Sequence, residues 1–182
     1  MARVSLIEEA EHPELAESIT QIRTGRQGRL LNVYRLLLHN PAIAGTWYNH
    51  VGAVRWQTQL DGRTREIAII RIGILNRVQY VIDAHVPGYA LEEGLTLEQC
   101  EALKDWRKSD LFDELQQSVL GYTDVMTQDV HVPDDVFASL NSHFSEQQIV
   151  ELTVLIGTYN MHTRVLQALE IDPEPPKSIS KH

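Results

Sequence analysis

Apolar residues recur at three- and four-residue spacing along most of the chain, which places them on one face of a helix. The segment RLLNVYRLLLHN (29–40) is the first clear example, and Asn40-Pro41 then supplies a cap and a first-turn proline for the next helix. The runs IAIIRIGIL and ELTVLIGTY are rich enough in β-branched residues for strands, but no turn residues bracket them at strand length. The chain is therefore predicted to be all-α, with further helices in the segments 42–60, 62–75, 76–94, 97–106, 109–129, 132–144 and 145–171.

The length of 182 residues fits a single domain that covers residues 1–182. REIAIIRIGILN (65–76) can be superimposed on IVELTVLIGTYN (149–160), which aligns Asn76 with Asn160. This match indicates a helical-hairpin pseudo-repeat, although two buried helices with a close-packing glycine would also look alike by chance. The tail DPEPPKSISKH (172–182) is predicted to be flexible or to lie on a neighbouring subunit.

Composition excludes several classes of protein. The net charge is −9 and the basic residues do not cluster, which argues against a nucleic-acid surface. No apolar run approaches the length of a membrane span, and the N-terminal segment has no apolar signal core, so we expect a cytoplasmic protein without a membrane partner. Cys100 is the single cysteine, so the chain can form no internal disulfide, redox pair or cysteine-based zinc site.

Two titratable residues fall on apolar helix faces. Glu66 lies between two groups of isoleucines on its predicted helix, and His85 continues the stripe of Val78 and Val81 at i, i+3 and i+7. Pro87 removes a backbone amide just past the histidine, which predicts a kink that opens space beside His85. The spacing therefore makes Glu66 and His85 the candidate catalytic residues.

Spacing alone leaves a structural role open for both residues. A histidine on an apolar stripe is more often a core residue bonded to a carbonyl, and a glutamate near a helix start often serves the helix dipole. An acid/base pair is the alternative, because the two residues lie on helices joined by a short connection. A buried carboxylate beside an imidazole is how such pairs are tuned.

The stretch LDGRTREIAIIRIGILNRVQYVIDAHVPGYALEEGLTLEQCEAL, residues 60–103, resembles the signature region of the carboxymuconolactone decarboxylase family, which includes the alkylhydroperoxidase D (AhpD)-like proteins. The flanking segments NVYRLLLHNPAIAGTW and EQQIVELTVLIGTYNMHTRVLQAL are also similar, so the resemblance covers Gly28 to Leu169. It implies a compact AhpD-like helical fold. The residues of the family's motif match Arg65, Glu66, Asn76, His85 and the helix stop Gly94-Leu95-Thr96.

The chain departs from the peroxidase branch of this family. Those members carry a CxxC pair before the histidine, and the corresponding positions here are Val78 and Val81. Thiol peroxidase chemistry needs one thiolate to attack the peroxide and a second thiol to resolve the sulfenic acid. Cys100 lies on a different predicted helix without a partner thiol, and we interpret it as a small buried hydrophobe.

The resemblance implies a cofactor-independent lyase or isomerase that decarboxylates a small carboxylated lactone or related ring acid through Glu66 and His85. Which of the two is the acid stays open. The alternatives are a non-catalytic or ligand-binding member that retains the fold and, less favoured, an alkylhydroperoxidase-type antioxidant protein. No metal or nucleotide cofactor is predicted, because no metal-ligand spacing or phosphate-binding loop occurs. The family also implies a homo-oligomer, a trimer or hexamer, in which a neighbour covers the pocket.

Five further residues are candidates for binding the substrate: Arg71, Asn76, Val78, Tyr80 and Val81. Arg71 is expected to hold an anionic group, with an ion pair to a surface or interface acid as the alternative. Tyr80 can donate a hydrogen bond to an oxyanion, with core packing as the alternative. The group of Trp47, Tyr48 and Trp56 is interpreted as core or interface, or else as an aromatic wall for a ring-shaped substrate.

Overall fold

The computed structural model describes residues 2–26 and 28–175, and these residues form helices and no strand. None of the described helices is long and apolar enough to cross a bilayer. The prediction of an all-α fold is confirmed. The α-helices are α1 (Ala16–Thr24), α2 (Asn32–Leu37), α3 (Pro41–Trp56), α4 (Gly62–Leu75), α5 (Gln79–Ala84), α6 (Leu97–Ala102), α7 (Glu114–Gln128), α8 (Asp134–Leu140) and α9 (Glu146–Ala168). Shorter elements are the 3₁₀ turns Glu9–Glu11, Pro13–Leu15 and Leu103–Lys108 and the π-helix His85–Ala90.

The chain forms two compact units, of which the first comprises residues 1–50 and 168–182 and the second residues 51–167. The single domain stays a prediction. In the first unit the Arg26 guanidinium lies over the rings of Tyr34 and Tyr48, at 5.4 and 5.8 Å from their centroids. Asn32 holds the start of the predicted tail, because its side-chain amide donates to the backbone carbonyls of Asp172 and Pro173. The rest of that tail, residues 176–182, lies outside the described residues.

Helix α4 forms the centre of the second unit. Its residues from Thr64 to Gly73 are all buried, and it packs mainly against α7, α5 and the π-helix. A helix buried on all sides carries apolar residues on every face, which explains why the run IAIIRIGIL also resembles a buried strand. The buried charged residues of α4, Arg65, Glu66 and Arg71, each have polar partners. Four of its isoleucines have no exposed surface: Ile67, Ile69, Ile70 and Ile72.

Both ends of α4 follow local sequence signals. Asp61 caps the start, where its side chain accepts from the Thr64 amide at 2.9 Å. At the other end Arg77 adopts a left-handed conformation (φ +57°), and the Val78 amide donates to the Gly73 carbonyl at 2.9 Å. This tight turn returns α5 directly against α4, where a Cβ at Gly73 would lie 3.2 to 3.5 Å from Val81 and Ile82 atoms.

The segment after α5 is wider than an α-helix. Helix α5 begins at Gln79 rather than at the predicted Asn76, and it passes into the π-helix at His85. Pro87 lies inside the π-helix and has no N–H to continue the α-helical bonding, which accounts for the predicted break. Gly94 ends the segment with φ +83°, the left-handed conformation that suits glycine at a helix stop.

The aligned asparagines of the proposed repeat contact each other. The Asn76 side-chain amide donates to Asn160 Oδ1 at 3.0 Å and to Thr163 Oγ1 at 2.8 Å. These bonds join the end of α4 to α9. The helical-hairpin repeat itself stays a prediction.

Arg71, a candidate substrate ligand, lies in a buried ion pair. Its Nε donates to Asp124 Oδ1 at 2.6 Å, and its Nη1 donates to the Leu103 and Lys104 carbonyls. Asp124 also accepts from Trp106 Nε1 at 3.0 Å and from Arg107 Nη1 at 2.6 Å. The ion-pair alternative for Arg71 is therefore the one that this geometry supports, with a buried acid of the same chain in place of a surface acid.

We expect Arg71→Met to lower the free energy of unfolding by about 3 kcal/mol, because Asp124 keeps a buried charge after losing its buried partner. The control is Arg107→Met, which removes the other guanidinium from the same carboxylate. Arg107 is 59% exposed, so this change should cost less than about 1 kcal/mol. Urea unfolding of both variants measures the difference, and equal losses would contradict this account.

Candidate functional site

The two candidate catalytic residues are in direct contact. Glu66 lies near the start of α4 with no exposed surface, and His85 is the first residue of the π-helix. His85 Nδ1 lies 2.5 Å from Glu66 Oε2, the distance of a short charge-assisted hydrogen bond. The structure thus brings the pair together, while its catalytic role stays a prediction.

Two arginines complete the surroundings of Glu66. Arg55, near the end of α3, and Arg65, next to Glu66 on α4, each place one nitrogen 3.4 Å from Glu66 Oε1. Arg65 also donates to Glu93 Oε1 at 2.7 Å. The sequence did not single out Arg55, because no spacing relates the end of α3 to a residue near the start of α4.

Aromatic rings surround His85 and Arg55. The Tyr159 hydroxyl lies 3.5 Å from His85 Nε2, and the Tyr89 ring centroid lies 5.4 Å from that of the imidazole. The Arg55 guanidinium carbon lies 4.4 Å from the Trp56 ring and 4.1 Å from the Tyr89 ring. Of the predicted aromatic group, Trp56 belongs to this second unit, whereas Trp47 and Tyr48 belong to the first.

Burial and the arginines set the charge of the pair. Burial opposes ionisation of Glu66, but its interactions with His85, Arg55 and Arg65 outweigh that effect and hold its pKa below the ordinary value. Burial also lowers the pKa of His85, and the two arginines add to this lowering against the opposing effect of Glu66. Both shifts favour a carboxylate beside a neutral imidazole. With Nδ1–H donating to Glu66, the Nε2 lone pair faces the Tyr159 hydroxyl.

A cavity lies between α4, α5 and α6, apart from the candidate pair, and the space predicted beside His85 stays a prediction. This cavity has a volume of about 310 Å³, and neither Glu66, His85, Val78 nor Val81 lines it. Both valines are buried, and Val81 fills the space beside Gly73. The lining residues of the cavity are Ile70, Ile74, Gln79, Ile82, Val86, Leu97, Cys100, Glu101 and Lys104.

The remaining candidates lie at separate places. Asn76 is bonded to Asn160 and Thr163, and Tyr80 is half-buried on α5. Cys100 is buried as predicted, and burial raises the pKa of its thiol, which disfavours the reactive thiolate. Within residues 2–26 and 28–175, no group of three His, Cys, Asp or Glu side chains is arranged to hold a metal ion.

Residues 41–124, which include Arg55, Glu66 and His85, match the sequence model of the carboxymuconolactone decarboxylase family. Over these residues the chain is similar to that family. Sequence similarity extends to the uncharacterised protein YnjA of Escherichia coli, at 29% identity over 118 residues. The match covers 64% of this chain and 64% of YnjA, so the chain spans slightly under two thirds of that relative.

Solved structures of related proteins share the fold. A protein of unknown function from Agrobacterium tumefaciens, for which a role as the antioxidant defence protein AhpD has been suggested, has a TM-score of 0.72 at 25% identity. The likeness covers 77% of this chain and 96% of that chain. A peroxidase-related protein with an alkylhydroperoxidase AhpD core from Ralstonia eutropha has a TM-score of 0.78 at 16% identity, and the likeness covers 95% and 92% of the two chains. The fold is therefore the AhpD-like helical fold, as the sequence resemblance implies.

The buried pair should make stability fall toward acid pH. The pKa of His85 in the folded protein lies below its ordinary value of 6.5. As the pH falls below 6.5, the unfolded chain therefore binds more protons than the folded chain. The free energy of unfolding falls over this range, and the full stability is present only above it. Glu66 adds a loss of the same sign as the pH falls through its lowered folded pKa, below its ordinary value of 4.5. His85→Gln should therefore flatten the dependence of unfolding free energy on pH between about 7 and 5, where one proton contributes at most about 1.4 kcal/mol per pH unit.

Urea unfolding at several pH values measures this dependence. His131→Gln, at an exposed position, is the control for exchanging a histidine for glutamine. An undiminished slope in His85→Gln would show that the buried imidazole is not the group responsible.

Proposed function

We propose that the chain is a cofactor-independent decarboxylase of its family, acting on a small carboxylated lactone or a related ring acid. The observation that supports this most is the contact of His85 Nδ1 with the buried Glu66 carboxylate, which leaves Nε2 as the proton-handling atom. A carboxylate that fixes one imidazole nitrogen and so orients the other is a recurrent arrangement in acid/base catalysis. Glu66 is then the orienting group, and His85 carries the proton.

Decarboxylation of such an acid needs one proton. The bond between the ring carbon and the carboxylate breaks, its electron pair moves into the unsaturated lactone as a dienolate, and carbon dioxide leaves. His85 Nε2 first takes up a proton from solvent when the substrate binds, and it then donates this proton to the carbanion, which returns the imidazole to its neutral form. The resting imidazole is neutral, but an anionic substrate beside it raises the pKa of the ring, so substrate binding itself promotes proton uptake.

Thiol peroxidase chemistry is the less favoured proposal for this chain. Val78 and Val81 occupy the positions of the CxxC cysteines, and both are buried without sulfur. Cys100 lines the separate cavity, and the raised pKa of its thiol keeps it protonated near neutral pH. The predicted homo-oligomer and the cytoplasmic location stay proposals.

The test is turnover of carboxymuconolactone, followed as loss of the substrate and release of carbon dioxide. His85→Ala and Glu66→Gln should each lower kcat by about 100- to 10,000-fold, because one removes the proton carrier and the other removes the charge that orients it. Cys100→Ser is the control and should retain the wild-type rate. Unchanged rates in both site variants would reject the assignment.

A non-catalytic, ligand-binding member is the second candidate, and the nearly complete burial of Glu66 and His85 favours it. In that case the wild type turns over no carboxymuconolactone, and both substitutions act only on stability. Thermal unfolding of the same variants distinguishes the two functions, because an enzyme loses turnover while it is still folded.

A further inference from the structure

We propose that Arg55 binds the anionic group of the ligand, a carboxylate or enolate oxygen of a ring acid, beside His85 Nε2. This assignment deepens the proposed function and rests on it for the class of ligand. It adds a binding residue to the pair that the sequence identified.

The first observation is a buried donor without an acceptor. Arg55 is 3% exposed, and its Nε has no hydrogen-bond partner among the described residues. Its bond to Glu66 Oε1 from Nη2 is long, at 3.4 Å. An unsatisfied buried donor is costly, so an acceptor placed at Nε is favoured over an apolar group there.

The second observation is the packing of aromatic rings against the guanidinium. Trp56 and Tyr89 lie within 4.4 and 4.1 Å of its carbon and cover it with their rings. A planar guanidinium held by aromatic rings offers hydrogen bonds along its edge. This geometry suits an oxygen anion that approaches in the plane, as carboxylates do.

The third observation is position. Arg55 and His85 share three neighbours. Both residues interact with Glu66, and both lie against the Tyr89 ring. Tyr159 is the third shared neighbour. Its hydroxyl faces His85 Nε2, and its charge interaction raises the pKa of Arg55 against the effect of burial. An anion on Arg55 would therefore place the rest of a small ring near the proton-handling nitrogen.

Arg65 is the contrasting arginine of the same cluster. It carries the same charge at the same 3.4 Å from Glu66 Oε1, but its Nε is the atom that makes this contact, and its Nη2 is bonded to Glu93. Arg55 is thus the guanidinium whose Nε remains available to a ligand. An anion that neutralises Arg55 also removes part of the positive charge that lowers the pKa of His85, which couples binding to proton uptake.

The experiment measures binding of benzoate, a ring carboxylate that cannot follow the lactone reaction, by isothermal titration calorimetry. Benzamide is the uncharged comparison. The matched variants are Arg55→Lys and Arg65→Lys. Each keeps the positive charge and loses one guanidinium beside Glu66, but only Arg55→Lys removes an Nε that has no hydrogen-bond partner in the described part of the chain. Arg55→Lys should weaken benzoate binding by about tenfold or more, the loss of one charge-assisted hydrogen bond, and Arg65→Lys by less than about threefold.

A second measurement does not depend on how well Arg55→Lys folds. Titration of wild-type protein in two buffers of different ionisation enthalpy reports the protons taken up with benzoate. We expect uptake in the wild type and none in His85→Gln. Absence of saturable benzoate binding, equal binding of benzamide, or equal Kd values for the two lysine variants would each overturn the proposal.

Binding and turnover separate this proposal from the proposed function. Arg55-dependent benzoate binding without turnover of carboxymuconolactone supports the anion site and rejects the decarboxylase. Turnover together with benzoate binding that is independent of Arg55 rejects the anion site alone.

Discussion

The buried carboxylate of Glu66 is the interaction on which the second unit depends. A charge with no exposed surface is stable only when polar partners compensate for its desolvation. These partners are His85 on the π-helix, Arg55 on α3 and Arg65 on α4. Each partner is tied to a different element. The requirement to satisfy one carboxylate therefore fixes the end of α3 and the start of the π-helix against the first half of α4.

The same requirement determines what His85 can do. Because Glu66 accepts the hydrogen bond from Nδ1–H, Nε2 is the nitrogen that faces Tyr159 and is the one available for chemistry. The wider π-helical turn carries the histidine at its first residue, and such turns are frequent at functional sites. Valines stand where the peroxidase members have cysteines, so the site combines a fixed imidazole, two arginines and aromatic rings without sulfur.

Much of the fold could be predicted from local signals. Asp61 caps α4, Thr96 and Gln99 form a capping box on α6, and Gly94 ends the π-helical segment, each where the sequence places a stop or a start. The start of α5 was predicted less accurately. The left-handed turn at Arg77 lies between α4 and α5, but the spacing of apolar residues continues through this turn as it would through a helix. The cavity between α4, α5 and α6 was not predicted, because its lining comes from helices that only the tertiary packing brings together.

The sequence by itself determined the helices, their caps and the nomination of Glu66 and His85, because these follow from spacing within one or two neighbouring segments and from the family's motif. Only the tertiary structure decided that Arg55 joins them, that Arg71 belongs to Asp124, and that the histidine is neutral. Those facts depend on which helices pack together and how far the pair is removed from water. Hydrophobic periodicity shows which face of a helix is buried, but it does not identify the neighbour that the face meets.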